Sequence, residues 1–193
     1  MKSTRFVAIV LSLVIFPAAS AVEVHAEATA PLQDKCGLAL SRLEIIHKDS
    51  KGSLKLKNKA KRYEFIAFVN AMMSYEPVTG TDGTKSVFKD ITPKHRAYND
   101  IRTAAGNHII EAYKDGTIKP DRNITYSEAL QMVLKALGYG SEIKDLDVDG
   151  IIQRSDELGL SKDVRLAPEK QLTRGEASII IYNALTVDFA DTV

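Results

Sequence analysis

A pattern of apolar residues occurs three times in this sequence, and it limits the folds that the chain can adopt. Counted from Glu64, Glu128 and Glu176, the residues one, four, five and eight positions further on are apolar in every case. These residues are Phe65, Phe68, Val69, Met72, Ala129, Met132, Val133, Ala136, Ala177, Ile180, Ile181 and Ala184. Their spacing is that of one buried helix face, which a unit this short cannot bury alone. The sequence therefore predicts three tandem repeats that share one core.

The first turn of each repeated helix also carries a signal. A threonine three residues before a glutamate is typical of a capping box, in which the hydroxyl and the carboxylate each accept a backbone N–H. The predicted structural caps are Thr125, Glu128, Thr173, Glu176 and Glu64. In the first repeat Lys61 stands in place of the threonine, so we expect that helix to have a frayed start.

Residues 1–21 have the features of a signal peptide. Lys2 and Arg5 precede an apolar run at residues 6–16, and small residues at 19–21 form a cleavage site. The run is shorter than the roughly 20 residues that span a bilayer as a helix, so we expect an exported chain without a membrane span. The full chain has 26 basic and 25 acidic residues, and removal of Lys2 and Arg5 with the signal peptide leaves 24 basic and 25 acidic residues. This near-neutral net charge argues against nucleic-acid binding.

The rest of the sequence divides around the repeats, which are expected to make up nearly the whole mature chain. The predicted segments are a flexible leader at 22–31, a degenerate first repeat at 32–75, a linker at 76–85, a second repeat at 86–140, a third repeat at 141–188 and a tail at 189–193. Each repeat is predicted to be helix–loop–helix, with short strand segments at most. The predicted fold class is mainly α.

Four aspartates give a weak calcium signal. They are Asp145, Asp147, Asp149 and Asp156, with Gly150 at the sixth position of a would-be twelve-residue loop. Against this, Val148 occupies a position that is normally small or polar, and the preceding helix is predicted to end early at Gly138. No metal site is predicted.

Catalytic signals are absent from the sequence. The single Cys36 is expected to be a packed or semi-exposed thiol at the start of the first helix, and it cannot form an internal disulfide. The histidines lack the spacing of a zinc motif, and no Gly-x-Ser-x-Gly nucleophile elbow occurs. We therefore predict a protein that is not an enzyme and uses no cofactor.

The second repeat resembles the S-layer homology (SLH) domain, and the other two repeats share parts of the same pattern. The matching residues are Phe88, Asp90, His95, Ala97, Ile109, Ile110, Asp115, Gly116, Ile118, Pro120, Ile124, Thr125, Glu128, Leu137, Gly138 and Tyr139, with residues 172–177 (LTRGEA) in the third repeat and Arg62, Glu64 and Phe65 in the first. The resemblance implies a spindle with pseudo-threefold symmetry. It also implies a secreted protein, at the bacterial cell wall or S-layer surface, that binds secondary cell-wall polysaccharides attached to peptidoglycan, often anionic and pyruvylated.

The resemblance also suggests where a ligand binds. Arg62 and Arg174 hold the arginine position of the first helical turn, where a cation beside free N–H groups would suit a carboxylate. Tyr126 replaces that arginine in the second repeat. The remaining ligand-binding candidates are Tyr113, Arg96, Asp90 and Asp145. For the two aspartates, hydrogen bonds to backbone at the repeat junction are the favoured alternative.

These observations predict a non-enzymatic cell-surface protein that binds wall polysaccharide. The alternative is a degenerate SLH scaffold that binds a surface protein, because one arginine and every tryptophan are missing. The lysine-rich loop at 48–61 leaves two interpretations open: contact with an anionic wall polymer or membrane surface, or an ordinary solvated loop.

Overall fold

The computed structural model describes residues 31–78 and 88–190. The predicted signal peptide, nearly all of the leader, most of the linker and the end of the tail lie outside these residues. Within the described ranges, every helix is too short or too polar to cross a membrane.

Six helices form the described part of the chain, which confirms the mainly α fold. They are α1 (Leu32–Arg42), α2 (Arg62–Met72), α3 (Tyr98–Gly106), α4 (Tyr126–Ala136), α5 (Val148–Glu157) and α6 (Arg174–Ala184). The extended segments before α2, α4 and α6 form three isolated antiparallel bridges, which pair Lys59 with Thr173, Lys61 with Asn123 and Thr125 with Gln171. The expected short strand segments are reduced to these bridges in the described ranges.

The three helices α2, α4 and α6 contact one another and form the centre of the molecule. Eleven of the twelve repeated apolar residues are buried, and Met72 packs partly buried against the same core. The outer helices pack across repeats: α3 packs on α2, α5 on α4, and α1 on α6. Each outer helix therefore covers the central helix of the preceding repeat, and α1 closes the circle against the last helix.

A cyclic set of hydrogen bonds lies where the three extended segments meet. Ala60 donates its N–H to the carbonyl of Leu172, Leu172 donates to Ile124, and Ile124 donates to Ala60, each at 3.0 Å. All three residues are 0 % exposed. Because these residues stand at the same position before their respective helices, the bonds relate the three repeats by pseudo-threefold symmetry.

The first turns of the central helices are tied to neighbouring loops. In α2, the N–H groups of Arg62 and Tyr63 donate to the carbonyls of Arg122 at 2.9 Å and Pro120 at 3.1 Å. Equivalent bonds run from Tyr126 to Lys170, Ser127 to Pro168, Arg174 to Asn58 and Gly175 to Leu56. The expectation of a frayed start for α2 is wrong, because the next repeat supplies the acceptors that a side-chain cap would otherwise provide.

The capping carboxylates also take part in these turns. Glu176 accepts the N–H of Thr173 at 2.6 Å, and the Thr173 hydroxyl accepts the N–H of Glu176 at 3.1 Å. Glu128 accepts the N–H of Thr125 at 3.1 Å, with the threonine side chain facing the Glu128 N–H in return. At α2 only the carboxylate half is formed, since Glu64 accepts the N–H of Lys61 at 2.9 Å.

Cys36 lies in α1 and is buried. Its burial, together with the nearby Asp163 carboxylate, raises the pKa of the thiol. A buried thiol with a raised pKa is a packing residue rather than a nucleophile, in line with the sequence interpretation.

Candidate functional site

In two of the three repeats, the residue that follows the cap is an arginine that points toward the capping glutamate of the next central helix. Arg62 on α2 places Nη1 3.5 Å from Glu128 Oε1 on α4, and Arg174 on α6 places Nη1 2.7 Å from Glu64 Oε1 on α2. In the third equivalent position stands Tyr126, which is 1 % exposed. Two of the three related positions therefore hold an arginine–glutamate pair, and the third holds a buried tyrosine.

The position around Arg62 is filled by the protein's own groups. Arg62 is 4 % exposed, and its Nε donates to the carbonyl of Ile118 at 3.0 Å. Its partner Glu128 also accepts from the Tyr113 hydroxyl at 2.8 Å and from Arg122. Lys119 contributes a further cation, with Nζ 4.7 Å from the centre of the Tyr113 ring. The ring of Tyr113, a ligand-binding candidate from the sequence, therefore already lies beside three cations of the protein, Arg62, Lys119 and Arg122.

The electrostatics of this cluster are balanced internally. Burial alone would raise the pKa of Glu128, but the Thr125 N–H and the Arg62 guanidinium more than offset it, so the pKa is lowered. Burial lowers the pKa of Arg62, against the opposing effect of Glu128. The associated cavity measures only about 150 Å³. This arrangement suits a structural ion pair better than a receptor for an external anion.

The position around Arg174 is open. The Arg174 side chain is 12 % exposed, and its Nε donates to the carbonyl of Leu54 at 2.8 Å. It borders a groove of about 410 Å³ between the loop at 47–61 and the entrance of α6. We call this the Arg174 groove, and its lining residues are His47, Lys48, Asp49, Ser53, Leu54, Lys55, Asn58, Lys59, Lys61, Tyr63, Glu64, Arg96 and Arg174.

Both carboxylates of the Arg174 groove are engaged within the protein. Glu64 pairs with Arg174 and caps α2. Asp49 accepts the N–H groups of Ser53 and Lys51 at 2.9 Å and pairs with Lys55 at 3.0 Å, and the Ser53 and Lys55 bonds hold its pKa below the ordinary value. Both negative charges of the groove are therefore already paired with cations of the protein.

Four groove cations lack a carboxylate partner among the described residues. Lys59 donates to the carbonyl of Gln171 at 2.6 Å, and Lys61 donates to the Asn123 amide oxygen at 2.8 Å. Lys48 is exposed, and Arg96 is exposed with its guanidinium 4.6 Å from the centre of the Tyr63 ring. The groove consequently presents an excess of positive charge to solvent.

Only part of this groove is predictable from the sequence. Arg174 and Arg96 were expected to bind ligand, and the structure brings them to one groove. Tyr63, which stacks beneath Arg96, was missed because nothing in the sequence distinguishes it from a core aromatic residue. The sequence shows the lysines only as a charged loop, because their position beside Arg174 depends on contacts across more than 100 residues.

The expected free N–H groups beside the arginines are not present. The N–H groups of the first two residues of α2 and α6 donate to loop carbonyls of the next repeat, and at α6 the Thr173 hydroxyl also accepts the N–H of Glu176. A carboxylate ligand could not replace these bonds without breaking the contacts between repeats. Any anion recognition at the Arg174 groove must therefore come from side-chain charge.

The two aspartates at the repeat openings differ in role. Asp90 accepts the N–H groups of Ile118 at 2.8 Å and Lys119 at 2.7 Å, so it bonds to backbone as the favoured alternative predicted, but within the second repeat rather than between repeats. Asp145 is exposed, and its carboxylate makes no hydrogen bond within the described ranges. Neither aspartate lines the Arg174 groove.

The weak calcium alternative is not supported by the geometry. Asp147 caps α5 by accepting the N–H of Gly150 at 2.9 Å, so the helix begins inside the would-be loop. Asp156 instead accepts the Ser161 hydroxyl and lies 3.5 Å from Arg165. In the part of the chain that the structure describes, no three His, Cys, Asp or Glu side chains converge on a metal position.

A larger cleft of about 650 Å³ lies at the C-terminal end of α4. Its lining includes Glu111 and Lys135, which pair at 2.8 Å, and this contact lowers the pKa of Glu111. The cleft contains none of the ligand-binding residues expected from sequence.

Parts of this chain are similar to a known domain family and to known proteins. Residues 87–130 match the model of the S-layer homology domain. A "Middle cell wall protein" of Brevibacillus brevis is 27 % identical over 187 residues, which cover 95 % of this chain and 18 % of that protein. A "Cell surface protein" of Thermoanaerobacter kivui is 34 % identical over 128 residues, covering 65 % of this chain and 16 % of that protein.

A "Surface layer protein" of Brevibacillus choshinensis is 23 % identical over 187 residues, covering 95 % of this chain and 16 % of that protein. The chain thus spans less than a fifth of the length of each of these relatives. The match includes the loop and helix start around Tyr113, Asp90 and Glu128, whose contacts are described above. Residues 87–130 of this chain are therefore similar to an S-layer homology domain, and the relatives above are named as proteins of the cell wall, cell surface and surface layer.

Proposed function

We propose that this protein is a non-enzymatic component of the bacterial surface that binds a secondary cell-wall polysaccharide attached to peptidoglycan. The Arg174 groove is the binding site in this proposal. The ligand is an anionic polysaccharide, whose acidic groups pair with the groove cations.

One observation carries the proposal: the Arg174 groove is open and has unbalanced positive charge, with Lys48, Lys59, Lys61 and Arg96 lacking carboxylate partners in the described ranges. The corresponding position at Arg62 is closed by Glu128 and its neighbours. The third position has a buried tyrosine. The proposal therefore assigns one anion-binding groove to a domain with three related positions.

Co-sedimentation with purified cell walls tests this function. The chain should pellet with intact walls and remain in solution with walls from which the secondary polymer has been removed. A Lys48→Gln/Arg96→Gln variant should bind the walls with roughly tenfold lower affinity. This corresponds to a loss of about 1.4 kcal/mol of binding free energy. Both side chains are exposed, so its thermal unfolding should match that of the parent chain.

The matched control is Lys162→Gln/Lys170→Gln, which removes two exposed positive charges outside the groove. This control should pellet like the parent chain. Pelleting that survives removal of the polymer would contradict the glycan proposal and favour a scaffold that binds a surface protein.

A further inference from the structure

The loop that forms the Arg174 groove differs in charge from its two counterparts. Residues 47–59 contain five lysines and one aspartate. The equivalent residues 111–123 contain three basic and three acidic residues, and residues 159–171 contain three basic and two acidic residues. The excess positive charge is therefore confined to one of three structurally related loops.

The cations of this groove are mainly lysine ammonium groups, which do not present a pair of N–H donors in a fixed arrangement to a single anion. Lys48 is solvent-exposed, while Lys59 and Lys61 donate to neutral acceptors near the centre of the molecule. A lysine acts as a point charge, whereas recognition of a single carboxylate favours the paired N–H groups of an arginine. The Nη1 of Arg174 already donates a hydrogen bond to Glu64.

A single negative charge would leave most of this positive charge uncompensated. Lys48, Lys59, Lys61 and Arg96 line one groove of about 410 Å³, and at physiological ionic strength charges interact over about 8 Å. A ligand with several closely spaced anionic groups would neutralise them in one binding event and release their counterions.

We propose that the Arg174 groove recognises its ligand by charge density and takes a polymer with several closely spaced anionic groups rather than a single acidic substituent. This inference rests on the proposed function, because it names the ligand chemistry of the same groove. The shared chemistry is a row of negative charges, from either linked phosphates or dense carboxylates.

Binding of the full chain to four probes tests this inference. The probes are inorganic polyphosphate, poly-glutamate, orthophosphate and pyruvate. At low salt, at least one polymer should bind a hundredfold or more tightly than its matching single anion. The logarithm of its binding constant should fall with the logarithm of salt concentration with a slope of about −3, as expected for four contacts. Which polymer binds more tightly distinguishes linked phosphates from carboxylates.

The Lys48→Gln/Arg96→Gln variant should make this salt slope shallower by about 1.5, since it removes two of the four contacts. The Lys162→Gln/Lys170→Gln control should keep the parent slope. Equal affinity for polymers and single anions, or an equal change in both variants, would overturn the inference. If wall pelleting still requires the secondary polymer in that case, the proposed function stands and only its charge-density mechanism fails.

Discussion

At the scale of single residues, Glu128 joins three parts of the molecule. Its carboxylate accepts from the backbone of Thr125, lies beside Arg62 of another central helix, and accepts from Tyr113 and Arg122 of its own loop. A partly buried carboxylate with this many donors contributes these contacts fully only while it is ionised. The stability of the protein should therefore depend on pH through this residue.

Because the pKa of Glu128 is lowered from its ordinary value of 4.5, its contribution is complete above that pH and lost as pH falls through the folded-state pKa. Glu128→Gln should lower the free energy of unfolding at pH 7 by about 2 kcal/mol, since it leaves Arg62 buried without its counter-charge. The variant should also lose less stability than the parent as the pH falls below 4.5, because only the parent loses the contribution of this carboxylate there.

Urea unfolding at several pH values measures both effects. The exposed Glu169→Gln serves as the control and should follow the parent curve. A Glu128→Gln variant with the parent's full acid sensitivity would show that other carboxylates govern the pH dependence.

At the scale of helices, α6 has the most complete N-terminal cap of the three central helices. Thr173 and Glu176 exchange both hydrogen bonds of the capping box. At α2 the threonine is replaced by Lys61, whose ammonium cannot accept a hydrogen bond and instead donates to Asn123. The same backbone position is therefore stabilised in one repeat by a cap and in another mainly by its neighbours.

Removing the threonine cap should destabilise the protein through the start of α6 alone. Thr173→Ala should lower the free energy of unfolding by about 1 kcal/mol, because the N–H of Glu176 loses its acceptor. Thr92→Ala, at an exposed position in a loop, provides the control and should change stability little. Denaturant unfolding compares the two, and an equal effect would show that the loop carbonyls alone hold the start of α6.

The helices could be predicted from sequence because their signals are local. The apolar spacing after Glu64 and the capping residues at Thr173 act within one or two turns, and these parts of the prediction agree with the structure. The start of α2 was predicted wrongly because its stabilising acceptors, Pro120 and Arg122, come from residues far along the chain. The open groove beside Arg174 escaped prediction for the same reason.

At the scale of the whole molecule, the centre is held by bonds that all three repeats share. Ala60, Ile124 and Leu172 exchange backbone hydrogen bonds in a closed triangle and are fully buried. Opening any one of these bonds to water requires separating two repeats. The three amides should therefore report on the same global event.

Native-state hydrogen exchange tests this coupling. The amides of Ala60, Ile124 and Leu172 should be among the slowest to exchange, with similar opening free energies that match the global free energy of unfolding. The amide of Lys51, which donates to Asp49 in an exposed turn, should exchange much faster. Exchange of one central amide well ahead of the other two would show that its repeat opens independently.

The circular arrangement of these contacts also governs how such a domain can change in length. Repeat proteins that stack in an open line can gain or lose one unit, because each unit touches only its neighbours. Here each central helix donates its first two amide hydrogens to the next third of the chain, and α6 donates its own to the loop before α2. Losing one unit would leave donors without acceptors inside the protein, and a fourth unit would find no place to join. Duplication of this domain should therefore proceed in sets of three.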